Sequence, residues 1–224
     1  VTKSNAYVCI FVDEGLGGTA NNSQLQKSIC CITDEFSAVS CLETIKQGFE
    51  VKLLVCYETR EDLIHLVKII DKILPRMLKS EIELEFHNIP KFGKNSYDIL
   101  SKNFLITDFL INSAKEKKIS HISLTTSPLI FPSSFVDTLQ KRVFNAGIVP
   151  HIPLSGIDSE IIKNAKEIGM DKYVSKIEKF LKTNFTKQNY LSTQKTTKKT
   201  KKTIKIRLGP NNVHTILDSL EIEH

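Results

Sequence analysis

The sequence has no C-x-x-C pair, and none of its five cysteines follows Cys56. All five lie in the first quarter of the chain, mostly within apolar runs, which predicts buried, reduced thiols rather than a disulfide framework. Because the six histidines are scattered, we expect no metal site. No apolar run is long enough to cross a membrane, and the N-terminus lacks a secretory pattern. These absences favour a cytoplasmic protein without a membrane partner.

Acidic residues are missing from one long segment near the C-terminus. Between Lys179 and Leu217 the chain carries ten Lys and Arg residues and no Asp or Glu. Elsewhere acidic residues outnumber basic ones, so the net charge of +6 belongs to this segment and not to the globular body. Attraction for nucleic acid is therefore expected at the tail.

Glycine is missing from a loop where a phosphate-binding protein would need it. The apolar run at residues 29–32 predicts a buried strand, and Phe36, Val39, Leu42 and Ile45 predict a helix that ends at Gly48. A strand, a tight loop and a helix form the usual geometry for binding phosphate at a helix N-terminus. The loop here is Thr33-Asp34-Glu35, with two carboxylates and no glycine, so we expect it not to bind a nucleotide.

Strands and helices alternate along most of the chain. This order predicts an α/β fold, a three-layer, doubly wound and mainly parallel sheet with helices on both faces. Such sheets bind ligands beyond the carboxyl ends of their strands. Beyond the loop above, the predicted strands cover residues 6–12, 50–56, 82–86, 121–124 and 148–152, and the predicted helices cover residues 61–78, 97–117, 134–145 and 157–168.

The composition changes after about residue 181. Residues 1–182 are predicted to form the α/β domain, and residues 183–203, rich in Thr, Lys, Asn and Gln, a basic polar linker that should be mobile. Residues 204–224 are predicted to form a small element with a strand at 204–208 and a helix at 213–220. The sequence leaves open whether this element folds back on the core or stays separate.

Three ordered segments carry a family resemblance. Residues 11–48, which include Gly15, Gly17, Gly18 and Lys27, resemble the family's entry from a Gly-rich G-x-G-G-L-P-x-G turn, through a strand, into an S-G-G-x-D-S loop and a helix. Residues 97–127 and 148–173 resemble its long helix and its closing segment. The family is that of the tRNA 4-thiouridine synthetases, or tRNA sulfurtransferases of the thiamine-biosynthesis type. The resemblance implies their adenine-nucleotide alpha hydrolase-like (PP-loop) fold.

The family's ATP-binding residues are altered in this sequence. Thr33, Asp34 and Glu35 replace the first Ser and the two Gly of S-G-G-x-D-S, Ser37 keeps the last Ser, and the Asp is missing. The second family loop keeps Ser127 but lacks its Gly-Gln. The cysteine that accepts sulfur has no counterpart, and neither do the family's N-terminal RNA-binding and C-terminal rhodanese-like domains. The resemblance therefore implies a degenerate PP-loop, with no catalytic residue and no cofactor.

Three functional hypotheses follow. The first is a non-catalytic relative that binds RNA, with tRNA as the expected target, or assists tRNA thiolation. The second is an ATP-dependent tRNA-modifying enzyme with a nucleotide site rebuilt around Thr33, Ser37, Ser127 and Ser155. The third is a protein-interaction module that docks on a partner or a second copy. In the first hypothesis the residues that contact nucleic acid are basic residues of the tail: Lys195, Lys198, Lys199, Lys201, Lys202, Lys205 and Arg207.

Two other features have a structural and a functional interpretation. The segment 154–159, L-S-G-I-D-S, could seat an anion at a helix N-terminus, but Asp158 or Ser159 ahead of Glu160 is typical of an ordinary helix cap. His121 and His151 flank predicted strands, where either could act as a general base or be a structural histidine. We prefer the structural interpretation for both features.

Overall fold

The computed structural model describes residues 26–77, 79–93, 95–174 and 201–221. The strand predicted at residues 6–12 lies outside these ranges, as do Lys195, Lys198 and Lys199. Among the helices that are described, none combines the length and the apolar character that a membrane crossing requires.

Strands and helices alternate in the order that the sequence predicted. The boundaries are β1 Lys27–Ile32, α1 Glu35–Lys46, β2 Glu50–Tyr57, α2 Arg60–Ile73, a 3₁₀ turn Leu74–Arg76, β3 Glu81–Asn88, α3 Ser96–Lys117, β4 His121–Ser123, α4 Ser133–Asn145, β5 Val149–His151, α5 Ser159–Glu167, α6 Asp171–Val174, β6 Lys201–Arg207 and α7 Asn212–Ser219.

The strands form one sheet in the order β5-β4-β1-β2-β3-β6. The first five are parallel to their neighbours, and β6 is antiparallel to β3. Successive residues of β1 enter opposite cores: Cys30 and Ile32 pack with α1 and α2, whereas Ile29 and Cys31 pack with α3 and α4. A strand buried on both faces needs a helical layer on each side. This arrangement confirms the doubly wound, mainly parallel α/β fold.

Special residues end two of the helices. Gly48 has φ of 85°, a left-handed conformation that glycine adopts without a Cβ clash, and it stops α1 as predicted. Pro75 lies in the 3₁₀ turn that follows α2, because proline lacks the N–H that a further α-helical turn would use.

The C-terminal segment folds back on the core. Its strand begins at Lys201, three residues earlier than the alternation of the sequence indicated. Ile204 and Ile206 of β6 are buried, and they share one core with Ile216 and Leu217 of α7. Residues 201–219 thereby complete the sheet and cover part of one face.

The cysteines of the described residues are buried, as their apolar surroundings predicted. Cys30, Cys31, Cys41 and Cys56 are free thiols, and Cys9 lies outside the described ranges. The Sγ atoms of Cys31 and Cys56 are 3.6 Å apart on neighbouring strands. Burial raises the pKa of the Cys31 thiol, so this group is a packing residue rather than a reactive nucleophile.

Replacing Ile206 by Ala tests the packing of β6. We expect a loss of about 2 to 5 kcal/mol of unfolding free energy, because a buried side chain is removed and leaves a cavity. Urea denaturation measures the effect. Thr203→Ala on the exposed side of the same strand is the control and should change stability little; equal losses in the two variants would contradict the packing of β6 on the core.

Candidate functional site

The candidate site lies at the carboxyl ends of β1 and β4. These strands are neighbours, yet the chain leaves β1 toward the α1 layer and leaves β4 toward the α4 layer. A crevice forms where the connections diverge in this way, and doubly wound proteins bind ligands there. The loop at Thr33 and Asp34 and the loop that contains Ser127 both start from this edge.

The N-terminus of α1 is capped by its own residues. Asp34 is the N-cap, and its Oδ1 accepts a hydrogen bond of 2.8 Å from the Ser37 N–H. Ser37 Oγ accepts hydrogen bonds from the N–H groups of Thr33 at 2.8 Å and Asp34 at 3.0 Å. The Ser37 hydroxyl donates to the Asp34 carbonyl at 2.7 Å. Three backbone N–H groups of this turn therefore already have oxygen acceptors from the chain.

This capping changes what the loop can bind. A phosphate at a helix N-terminus needs backbone N–H groups that are free to donate, and in this loop Asp34 takes the place of an anion. The pKa of Asp34 is raised because the surrounding protein atoms desolvate its carboxyl, and the hydrogen bonds from Ser37 oppose the rise. The residue as a whole is exposed at the surface of the loop.

Acidic residues surround this turn. Glu35 Oε1 lies 2.9 Å from His65 Nε2 of α2. Just after β2, Glu58 Oε1 accepts a hydrogen bond of 2.7 Å from Lys102 Nζ of α3, and the charge of Lys102 opposes the rise in the pKa of Asp34. Glu35 and Glu58 therefore each have a basic side chain beside them. Among the described residues there is no group of three or more His, Cys, Asp or Glu side chains that could hold a metal ion.

The second loop contains a buried hydroxyl without a hydrogen bond. Ser127 is fully buried, and its Oγ accepts a hydrogen bond of 3.1 Å from the Leu129 N–H. Thr126 is 3% exposed, and its Oγ1 has no hydrogen-bond partner within the part of the chain that the structure describes. Because a buried hydroxyl without a partner costs free energy, Thr126 is the position at this edge where a ligand would find an unused polar group.

The L-S-G-I-D-S segment forms a helix cap. Asp158 is the N-cap of α5, and its Oδ1 accepts a hydrogen bond of 2.9 Å from the Ile161 N–H. Ser155 is exposed in the loop that follows β5. The capping interpretation of this segment is therefore confirmed.

His121, the first residue of β4, and His151, the last residue of β5, contact one aromatic ring. The ring centroids of His121 and His151 lie 5.6 and 5.5 Å from that of Phe49. Burial lowers the pKa of His151, and the nearby His121 lowers it further. The Nδ1 atom of His151 is buried without a hydrogen-bond partner among the described residues, whereas His121 Nδ1 is hydrogen-bonded to Ser120 Oγ at 2.9 Å.

Four of the predicted nucleic-acid residues lie on β6, and they differ in their surroundings. Lys201 Nζ forms ion pairs with Glu116 at 2.7 Å and Glu85 at 3.5 Å. Lys202 Nζ is 3.5 Å from the exposed Glu221. Lys205 and Arg207 are exposed. The positive charge that this strand offers to an external phosphate is therefore smaller than the composition indicated.

A buried carboxylate of β3 contacts residues of both α3 and β6. Glu85 of β3 is 2% exposed, and it hydrogen-bonds to His87 Nε2 at 2.7 Å. It also accepts from the Ser113 hydroxyl at 3.2 Å and pairs with Lys117 at 3.1 Å. Desolvation favours a higher pKa for Glu85, but the hydrogen bonds of His87 and Lys117 and the charges of Lys117 and Lys201 outweigh it, and the pKa falls to about 2.

This cluster was not predicted from the sequence. The pattern that could have indicated it is the alternation of Glu81, Glu83 and Glu85, which places three carboxylates on one face of a strand. Acidic residues on a strand next to a basic segment of similar length predict a cross-strand pairing of opposite charges.

The strand order and the crevice between β1 and β4 define a doubly wound α/β protein. The structure is similar to the crystal structure of a 4-thiouridine synthetase in complex with RNA and bound ATP, with a TM-score of 0.53 and 15% sequence identity. The similarity covers 75% of this chain and 53% of that chain, so the chain spans about half of the synthetase. At this identity the likeness shows the fold.

A second solved structure, PH1313 from Pyrococcus horikoshii Ot3, gives a TM-score of 0.44 at 18% identity over 69% of this chain and 44% of that one. No protein-family model matches the chain, and no curated protein matches it.

The lowered pKa of Glu85 predicts an acid-sensitive contribution to stability. The stabilisation is fully present above the ordinary pKa of 4.5 and is lost as the pH falls toward about 2, and it amounts to roughly 3 kcal/mol. We expect Glu85→Gln to be destabilised at pH 7 by about this amount, with the difference from the wild type shrinking below pH 4.5. Urea denaturation at several pH values measures it.

Glu81→Gln is the control for this prediction, because it removes a carboxylate from an exposed position of the same strand. If the stability difference between Glu85→Gln and the wild type stays constant from pH 7 to pH 2.5, the loss of unfolding free energy comes from altered packing and not from the lost charge.

Proposed function

We propose that this chain is a non-catalytic relative of the 4-thiouridine synthetase catalytic domain, and that it binds RNA through its basic C-terminal segment. The expected RNA is tRNA, the role is binding or assistance in tRNA thiolation, and the expected location is the cytoplasm. The fold supports the relationship, and the solved synthetase of this fold was crystallised with RNA and ATP.

One observation carries the non-catalytic part of the proposal. The N–H groups of Thr33, Asp34 and Ser37 donate to oxygens of the loop itself. A nucleotide phosphate would have to displace these hydrogen bonds and approach two carboxylates, Asp34 and Glu35, at close range. Both steps cost free energy, so the loop favours its own cap over a phosphate group.

The RNA-binding part rests on the charge of the tail. Lys195, Lys198 and Lys199 lie outside the described residues, and Lys202, Lys205 and Arg207 are exposed on β6. Cations of this kind neutralise phosphates without reading the base sequence, which predicts affinity that depends strongly on salt.

An ATP-dependent enzyme is the second candidate function. The observation that favours it is the buried hydroxyl of Thr126, which has no hydrogen-bond partner among the described residues. This hydroxyl lies beside Ser127, at the edge where this fold binds ligands. A nucleotide held there would use the loop of Thr126 and Ser127 rather than the capped turn of α1. Thr33 and Ser37 would then keep their present hydrogen bonds.

Replacing Lys195, Lys198 and Lys199 together by Gln tests RNA binding without disturbing β6. We expect tRNA affinity to fall, and the slope of log K against log salt concentration to decrease by about 2 to 3, because each phosphate contact contributes about 0.7 to 0.9. Fluorescence anisotropy with labelled tRNA over a range of salt concentrations measures both quantities.

The matched control replaces three exposed lysines of the body, Lys163, Lys166 and Lys172, by Gln, which changes the net charge equally. If both triple variants lose the same affinity, the tail has no special part in RNA binding. A deletion that reaches into β6 is not suitable, because it would expose the core beneath Ile204 and Ile206.

Calorimetric titration of ATP with magnesium separates the two candidates. We expect no heat and no thermal shift at millimolar ATP or AMP, because the N–H groups of Thr33, Asp34 and Ser37 already have acceptors and two carboxylates lie beside them. Micromolar binding would instead support the enzyme, and Thr126→Val should then weaken it about tenfold, the usual cost of a lost hydrogen bond to a charged group. Ser133→Ala, at an exposed hydroxyl of α4, is the control.

A further inference from the structure

Within the described ranges, β6 is the last strand at one end of the sheet. β6 pairs with β3 over seven residues, from Lys201 opposite His87 to Arg207 opposite Glu81. Within the described ranges no strand pairs with its other side. An edge strand presents backbone N–H and C=O groups that an extended segment of another chain can use, and seven residues are enough for such pairing.

The side chains of β6 differ sharply between its two faces. Ile204 and Ile206 enter the core, whereas the residues on the opposite face are exposed. Because directly opposed residues of an antiparallel pair share a face, that exposed face is the one that carries the glutamates of β3. Its members on β6 are Lys201, Thr203, Lys205 and Arg207.

Two of these cations face glutamates of β3 without forming a close ion pair. Lys201, by contrast, is paired with Glu85 and Glu116. Glu83 lies opposite Lys205 and forms an ion pair with Lys117, and the charges of Lys117, Lys52 and Lys205 together lower its pKa. Glu81 lies opposite Arg207. The C-terminal half of β6 therefore carries two exposed cations at alternate positions, with carboxylates of β3 on their inner side.

The charges on β6 determine which kind of segment can pair with its outer edge. A second copy of β6 would bring lysine and arginine against lysine and arginine, and like charges placed opposite each other destabilise a strand pair. Lysines on an edge strand prevent self-association by the same repulsion. A segment with carboxylates at alternate positions would instead match Lys205 and Arg207. β3, with Glu81, Glu83 and Glu85, forms this kind of pair on the inner side.

We propose that the outer edge of β6 is a docking site for an extended acidic segment of another protein. The partner adds a strand to the sheet by backbone hydrogen bonds, and its alternate Glu or Asp side chains pair with Lys205 and Arg207. This site shares Lys205 and Arg207 with the cations proposed above for RNA, so the acidic segment and RNA would compete for these two side chains.

Fluorescein-labelled peptides test the proposal on the full chain. The probe is the seven-residue peptide Thr-Glu-Val-Glu-Val-Glu-Thr, in which the glutamates alternate. One control peptide has the same composition with three consecutive glutamates, and a second has lysine in place of each glutamate. Fluorescence anisotropy gives the affinities, and hydrogen exchange of the β6 amides reports whether the peptide pairs with the strand.

We expect the alternating peptide to bind about fivefold or more tightly than the consecutive one, and to slow exchange of the β6 amides. The variant with Lys205→Gln and Arg207→Gln should weaken it about five- to tenfold, the range for two exposed charge pairs. The control with Lys163→Gln and Lys166→Gln carries the same charge change on α5 and should bind as the wild type does. Reversing both β6 charges, with Lys205→Glu and Arg207→Glu, should create affinity for the lysine peptide.

Several outcomes would overturn the proposal. Equal binding of the alternating and consecutive peptides would show attraction by net charge without strand pairing. Equal losses in the β6 and α5 variants would remove Lys205 and Arg207 from the site. If oligouridine slowed the exchange of the β6 amides and the acidic peptide did not, the edge would belong to nucleic acid.

Discussion

The burial of β1 on both faces is the constraint from which the rest of the structure follows. Ile29 and Cys31 need one helical layer and Cys30 and Ile32 need another, so the chain must place α1 and α2 on one side and α3 and α4 on the other. Right-handed connections can meet that requirement only if their direction changes beside β1. The crevice between β1 and β4 is therefore a consequence of packing, and it exists whether or not a ligand occupies it.

At this crevice, the chain supplies acceptors to the N-terminus of its own helix α1. The cap formed by Asp34 and Ser37 stabilises α1 in the same way that a phosphate would in a binding protein, by accepting from backbone N–H groups. Stability of the scaffold and binding of an anion compete for the same donors. In this chain the N–H donors bind the cap of α1. The groups that remain for a ligand are the Thr126 hydroxyl on the neighbouring loop and the cations of β6 at the far edge of the sheet.

Periodicity and turn residues predicted the fold well, because both report local requirements. The apolar runs of β1 and β2, and Gly48 after α1, needed no knowledge of distant partners. The absence of glycine at Thr33 to Glu35 is likewise a local fact, whereas the cap that Asp34 and Ser37 form was not predicted. The neutralisation of Lys201 by Glu85 and Glu116 was not readable, because those residues are about a hundred positions apart in sequence. A buried hydroxyl without a hydrogen-bond partner, such as that of Thr126, can be recognised only when the positions of the surrounding residues are known.

The late position of β6 in the sequence has a consequence for synthesis. While the chain is being made, β3 is the outermost strand, and it stays so until residues 201–207 emerge to pair with it. Until then the open edge of β3 carries Glu81, Glu83 and Glu85, and like charges placed opposite each other destabilise a strand pair. The glutamates that face β6 in the folded chain therefore also disfavour pairing of β3 with a second copy before β6 is added.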